Sequence, residues 1–223
     1  MESVLLERYR VALQGAVLEL IPGGSRLTEE LVHQARAYNG LGPSSAVIGV
    51  CRQMYHTGKF IHGDLADLNQ FDSAGFDAVV AGRCALDVLN GERRLLVLEG
   101  LHRVLSPGGV LIFSSHTALE RASRPPAEAH GGRKGGGLLR GLRLRSSRAP
   151  MDERELGDEL LSGIDGELTV QYQIGREEQE AQLNELGFRL VECLDLEGHS
   201  VASGTTAGSP PELHYVARLA PAL

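Results

Sequence analysis

Short apolar runs alternating with amphipathic stretches set the pattern of this chain. The runs near residues 16–21, 46–50, 60–62, 76–81 and 109–115 are bounded by Gly, Pro, Asn or Asp and read as strands. Between them, Leu27, Leu31, Ala35 and Tyr38 make one apolar stripe that predicts a helix over 26–37. Leu95, Leu98, Leu101, His102 and Leu105 make a second over 91–105, which Pro107-Gly108-Gly109 should stop. Strand–helix alternation implies a mostly parallel sheet with helices on both faces. Two later runs, 187–196 and 213–219, are joined by a Gly/Ser/Thr/Pro-rich stretch and predict a hairpin that adds an antiparallel C-terminal strand. The expectation is an α/β fold with seven strands in one sheet.

The strongest local signal is Ala16-Val17-Leu18-Glu19-Leu20-Ile21-Pro22-Gly23-Gly24-Ser25, a strand that ends in a glycine turn before a helix. Such a turn lets backbone N–H groups come close to a nucleotide-like ligand, because glycine has no side chain in the way. Further along come Gly63-Asp64-Leu65 after the third strand and the strand Phe76-Asp77-Ala78-Val79-Val80. The block His102–Phe113 (HRVLSPGGVLIF), a helix ending Glu185-Leu186-Gly187-Phe188 and a closing strand Leu213–Arg218 follow. In order and spacing these pieces resemble the class I S-adenosylmethionine (SAM)-dependent methyltransferases, over roughly residues 10–116 and 172–219. The resemblance implies a Rossmann-like sheet and SAM as cofactor. It places Glu19, Gly23 and Gly24 on the methionine and ribose side, Asp64 on the adenine amino group and Leu65 against the ring. Ala81-Gly82-Arg83-Cys84 would lie beside the sulfonium.

Two departures accompany the resemblance. The family's Gly-x-Gly-x-Gly turn reads Ile21-Pro22-Gly23-Gly24-Ser25 here. At the expected end of the second strand, where the family has an acid for the ribose hydroxyls, this reading places Cys51, and a thiol is a weak hydrogen-bonding partner. The function implied is methylation of a small molecule. Two alternatives stand beside it: another SAM-driven displacement, such as an intramolecular cyclisation, and a non-catalytic binding subunit that keeps only the fold.

Length and charge narrow the classes. A chain of 223 residues suits one domain, expected to span 1–223. A net charge of −7 argues against general nucleic-acid binding. Three scattered cysteines form neither a metal motif nor an even disulfide set, which suits a reducing cytosol. With Glu2, Glu7, Arg8 and Arg10 among its first ten residues, the N-terminus does not read as a signal peptide. No apolar run approaches a membrane span. The expectation is a soluble, cytoplasmic protein with a small-molecule substrate. Residues 117–174 stand out as an inserted loop and lid: eight Lys/Arg face the single acid Glu128 within 121–148, and seven acids face Arg154 within 151–167. The stretch 121–137, with five glycines, reads as a loop and 138–174 as a lid. An acidic carrier is a partner expectation for the basic stretch, and a homodimer is a further one.

For catalysis the best candidates are His116, directly after the fifth strand, and Asp87, in the loop after the fourth. Tyr172 and Tyr215 suit either a cation–π contact with a sulfonium or plain core packing. His102 reads as a core histidine. His56 and His62 lack partners at metal-ligand spacing, and no metal is expected.

Overall fold

The computed structural model describes residues 2–23, 26–117, 172–204 and 211–220. Their elements are helices α1 (Glu2–Arg8) and α2 (Arg10–Leu13), strand β1 (Ala16–Leu20), helix α3 (Arg26–Gln34), strand β2 (Ala37–Gly42), helix α4 (Ser45–Met54) and strand β3 (Lys59–His62). Strand β4 (Phe76–Ala81), a 3-10 turn (Ala85–Val88), helix α5 (Gly91–Val104), strand β5 (Leu105–His116), helix α6 (Arg176–Glu185) and strands β6 (Phe188–Leu194) and β7 (Glu212–Leu219) complete them. All belong to one compact unit formed by residues 1–119 and 170–223. The expected loop and lid fall largely on 118–171, outside the described residues.

The seven strands form one sheet in the order β3-β2-β1-β4-β5-β7-β6. Strands β1 to β5 pair in parallel, and β7 runs antiparallel between β5 and β6. This is the fold class expected from the sequence, with the hairpin in its expected place. Side chains alternate across the sheet as a period of two demands. Leu18, Leu20, Val79, Ala81, Leu111, Phe113 and Tyr215 face one core, with Val97, Leu98 and Leu101 of α5 and Leu183 of α6. Val17, Ala78, Val80, Val110, Ile112 and Val216 face the other, with Leu5 and Leu6 of α1, Leu13 of α2, Leu27 and Leu31 of α3, and Ile48 and Cys51 of α4. The sheet is therefore covered on both faces, which suits strands that are apolar throughout. Among the described residues no helix is long and apolar enough to cross a membrane.

Three expectations need correction. The run 46–50 is not a strand: it lies in α4, where the Ser44 hydroxyl caps the N-terminus by accepting from the Val47 N–H at 3.4 Å. The second strand is instead the polar, glycine-containing Ala37-Tyr38-Asn39-Gly40-Leu41-Gly42, so the helix predicted over 26–37 stops at Gln34. The periodicity of α4 is helical, since Ile48 and Cys51 are buried while Val50 and Met54 are exposed. His102, expected in the core, lies exposed on α5 with its ring edge-on to Phe188, centroids 5.8 Å apart. α5 ends at Val104 with Leu105 extended at its C-cap, ahead of Pro107, and Gly108, at φ +77°, lies within β5 instead of closing the helix.

Gly40 shows how closely the β1–β2 corner is packed. A Cβ there would lie 2.9 Å from Pro22 Cγ, 2.9 Å from the Tyr38 hydroxyl and 3.0 Å from Phe60. Gly40→Ala is expected to lower the unfolding free energy by about 1–3 kcal/mol, read as a lower urea midpoint at unchanged slope.

Candidate functional site

Parallel strands of this order end on a common rim, and ligands of such sheets sit beyond the carboxyl ends. On β1 the rim begins with Glu19, only 2% exposed. Its carboxylate accepts from the Thr28 hydroxyl at 2.9 Å and from the Tyr38 hydroxyl at 2.5 Å. Burial first, and then the Glu19 charge, pushes the Tyr38 phenol far above its ordinary pKa, so it remains a donor. Next comes Ile21 in the left-handed region at φ +54°, an uncommon conformation for a branched side chain. Gly23 follows, and its N–H donates to the Thr28 hydroxyl at 3.3 Å. A Cβ added to Gly23 would meet only the Arg83 guanidinium, at 3.5 Å, so this turn is open on that side.

On β4 and β5 the rim carries a buried charge network. Asp87, in the 3-10 turn, is 1% exposed, and Arg94 of α5 is fully buried. Asp87 Oδ1 accepts from Arg94 Nη1 at 2.8 Å and from the Ser115 hydroxyl at 2.6 Å. Asp87 Oδ2 accepts from the His116 backbone N–H at 2.7 Å and pairs with His116 Nδ1 at 2.9 Å. A carboxylate already bound to a guanidinium can only accept, so Nδ1 carries a hydrogen, and in the neutral ring the lone pair lies on Nε2. Arg94 Nη2 donates to Gln179 Oε1 at 2.7 Å, and its guanidinium lies 4.9 Å from the Tyr172 ring centroid. Burial pulls the Arg94 pKa down and the Asp87 charge pulls it back up.

His116 opens onto a cleft of about 480 Å³ that is also lined by Ser3, Arg83, Cys84, Glu212 and His214. Arg83 and Cys84 both hold φ +54°, two successive side-chain-bearing residues in the left-handed region. That conformation is sparsely populated and is usually held only by surrounding contacts. Here the Cys84 N–H donates to the Ser114 hydroxyl at 2.8 Å. Burial pushes the Cys84 thiol pKa well up, against the lowering effect of Ser114.

The structure thus brings His116 and Asp87 together and leaves other sequence candidates apart. Cys51 is a correction: it sits in the middle of α4, fully buried among core residues, and not at a strand end. The residue at the end of β2 is Gly42. Ala81 is likewise fully buried, its side chain in the core with Leu18 and Phe113. Leu65 is 3% exposed and packs into the same core. Asp64 lies after β3 with its carboxylate half exposed; Oδ1 accepts from the Ala66 N–H at 3.0 Å and pairs with Arg93. Those contacts, the backbone one foremost, lower its pKa. Gly24 falls outside the described residues. Tyr215 is a core residue, stacked on Phe113 at 5.0 Å, and Tyr172 lies over Arg94.

Sequence reasoning missed Arg94, Ser115, Gln179, Glu212 and His214. Arg94 left one trace: it stands in helical register with buried Val97, Leu98 and Leu101, where a charge signals a buried partner.

A family model described as a methyltransferase domain matches residues 18–113. Over that stretch the chain matches a methyltransferase-domain family, and its fold is the Rossmann-like methyltransferase fold. Among solved structures, a SAM-dependent methyltransferase from Clostridium acetobutylicum superposes with a TM-score of 0.68 at 12% identity, covering 98% of this chain and 90% of that one. DhpI, determined as a complex with SAH, gives a TM-score of 0.60 at 22% identity, covering 100% and 87%. The Burkholderia thailandensis 1,6-didemethyltoxoflavin-N1-methyltransferase, with its substrate and S-adenosylhomocysteine bound, gives 0.59 at 14% identity, covering 98% and 76%. At these identities the likeness is one of fold. No curated protein matches the chain. In this methyltransferase fold, the glycine turn, the 3-10 turn and the end of β5 share one rim.

The buried pair invites a double-mutant cycle. Removing one partner leaves an uncompensated buried charge, so Asp87→Asn should cost about 3–5 kcal/mol of stability. Adding Arg94→Gln to it should restore a substantial part of the loss in chemical denaturation.

Proposed function

We propose that this chain is a SAM-dependent methyltransferase acting on a small molecule whose acceptor atom carries a removable proton. The observation that carries the reading is the His116–Asp87 dyad, which leaves His116 Nε2 as a proton acceptor at the mouth of the cleft. The residues present fit the cofactor. The Gly23 turn is open where a ligand backbone-contact is needed, and the half-exposed Asp64 carboxylate at the end of β3 suits an amino-group donor. Gly23, Gly24 and Asp64 would hold SAM, with buried Glu19 shaping the turn through Thr28. Asp64 would accept from the adenine amino group and Leu65 would back it from the core. When bound, SAM supplies a methyl group already activated by its sulfonium, with a neutral thioether as leaving group. His116 Nε2 would take the proton of a substrate hydroxyl, amine or thiol. Asp87 would hold the ring through Nδ1 and stabilise the imidazolium formed, and Arg94 fixes the Asp87 carboxylate in place. Most of the acceleration would come from positioning the acceptor.

One feature favours a second reading, a subunit that binds without turnover. Gly42 occupies the end of β2 and offers no carboxylate to ribose hydroxyls. Calorimetric titration with SAM separates the two, since heat of binding supports the first and its absence the second. Product analysis by mass spectrometry distinguishes methylation from a cyclisation.

Two substitutions test the assignment. A Cβ at Gly42 would contact Pro22 at 3.4 Å and Ile48 at 3.5 Å, ordinary distances, so a side chain is tolerated. Gly42→Asp should tighten SAM binding by about tenfold, the worth of one charge-assisted hydrogen bond; unchanged or weaker binding would remove β2 from the ribose site. His116→Gln should lower kcat by about 10²–10⁴-fold while SAM affinity stays within twofold of the parent by calorimetry.

A further inference from the structure

The proton-accepting face of His116 belongs to a larger set of donor groups. Cys84, Asp87 and His116 each place a ligand-type atom within 4.8 Å of the other two. In the β5–β7 register His116 stands opposite Glu212 and Ser114 opposite His214. These four positions share one face of the sheet, because strand neighbours alternate. Glu212 also lies beside the Cys84 thiol, whose pKa it raises. Sulfur, imidazole and carboxylate therefore converge on one cleft, from a loop and two strands that sequence spacing does not connect.

The donors are not equivalent. Asp87 already accepts four hydrogen bonds, two of them from His116, and has no lone pair aimed at the cleft. It is the carboxylate behind a ligating histidine, the arrangement that fixes the tautomer and raises the basicity of the outer nitrogen. His214 Nε2 lies 3.5 Å from Glu212 Oε1. That leaves Cys84 Sγ, His116 Nε2 and Glu212 facing the cleft.

We propose that Cys84, His116 and Glu212 bind a divalent transition-metal cation of the Zn²⁺ class, with a fourth position open to solvent or substrate. Mixed sulfur, nitrogen and oxygen ligands with an open position suit Zn²⁺ and Co²⁺ and disfavour Ca²⁺ or Mg²⁺. Metal–ligand bonds of about 2.0–2.3 Å put tetrahedral donors roughly 3.5 Å apart, so Glu212, which stands outside the trio lying within 4.8 Å, must turn toward Cys84 and His116 to close the set. On binding, the Cys84 thiol loses its proton to solvent and the thiolate bonds the metal. The His116 lone pair cannot hold a cation and accept a substrate proton at once, so the cation switches off the base assigned above. That consequence rests on the proposed function, whereas the site itself does not.

The test uses the full chain and Co²⁺ alone, with no methyl-transfer assay. One equivalent should produce a near-ultraviolet thiolate charge-transfer band and intense visible bands of a four-coordinate ion, both abolished by Zn²⁺. Cys84→Ser should remove the charge-transfer band, and His116→Gln and Glu212→Gln should each weaken Co²⁺ binding at least tenfold. Cys51→Ala should keep every band. Circular dichroism checks each fold, and Cys84→Ala stands in if Cys84→Ser does not fold. Absence of the charge-transfer band in the parent, its survival in Cys84→Ser, or bands unaffected by His116→Gln and Glu212→Gln would overturn the site. A parent that transfers methyl groups but binds no Co²⁺ would overturn this inference and leave the proposed function standing. Co²⁺ binding without SAM binding would do the reverse.

Discussion

The ion pair between Asp87 and Arg94 is the constraint on which the cleft depends. Both side chains are out of water, and neither could be buried alone without a cost of several kcal/mol. The pair joins four parts of the chain. Asp87 comes from the turn after β4 and Arg94 from α5, while Ser115 and His116 end β5 and Gln179 comes from α6. The returning chain is tied in as well, since the Tyr172 N–H donates to the Asp87 carbonyl at 2.8 Å and its ring covers Arg94. A buried pair of this kind is weak evidence for stability. Its clearer effect is to allow one orientation of the Asp87 carboxylate, and through it one orientation of the His116 ring.

The two faces of the sheet divide the labour. Ser115 points toward α5 and joins the charge network, whereas Ser114 and His116 point toward the face covered by α1, where the cleft lies. Asp87 connects the two sides because its oxygens diverge, one to Arg94 and Ser115 and the other to His116. The rim of β1 follows a different logic. There Glu19 is held by Thr28 and Tyr38, so its charge is spread over internal donors and the turn is shaped before any ligand arrives.

Most of the architecture was legible in the sequence, because strands buried on both faces write themselves as continuous apolar runs. β2 was not, and the reason is physical. Ser45-Ala46-Val47-Ile48-Gly49-Val50 has the composition of a strand, yet it forms a helix with only Ile48 of its residues fully buried. The true strand, with Tyr38, Asn39 and two glycines, owes its state to pairing with β1 and β3 and not to its own propensity. The error carried Cys51 with it. At the site, His116 and Asp87 could be singled out because each follows a strand. Glu212 and His214 could not, since only antiparallel pairing brings residues about a hundred positions away to the end of β5. Arg94 was readable as a charge on an apolar stripe, but its partners belong to other elements.

That pairing makes strand parity a chemical variable in this protein. Side chains of β7 alternate between the two cores, with Leu213 and Tyr215 on one and Val216 on the other. A slip of β7 by one residue against β5 would exchange Glu212 and His214 for their apolar neighbours along the cleft. A carboxylate and an imidazole would then enter the core that holds Phe113. The chain between β6 and β7 can therefore vary in composition with little consequence, whereas a shift in where it delivers Glu212 would remove two polar groups from the cleft and place them where they cannot be solvated.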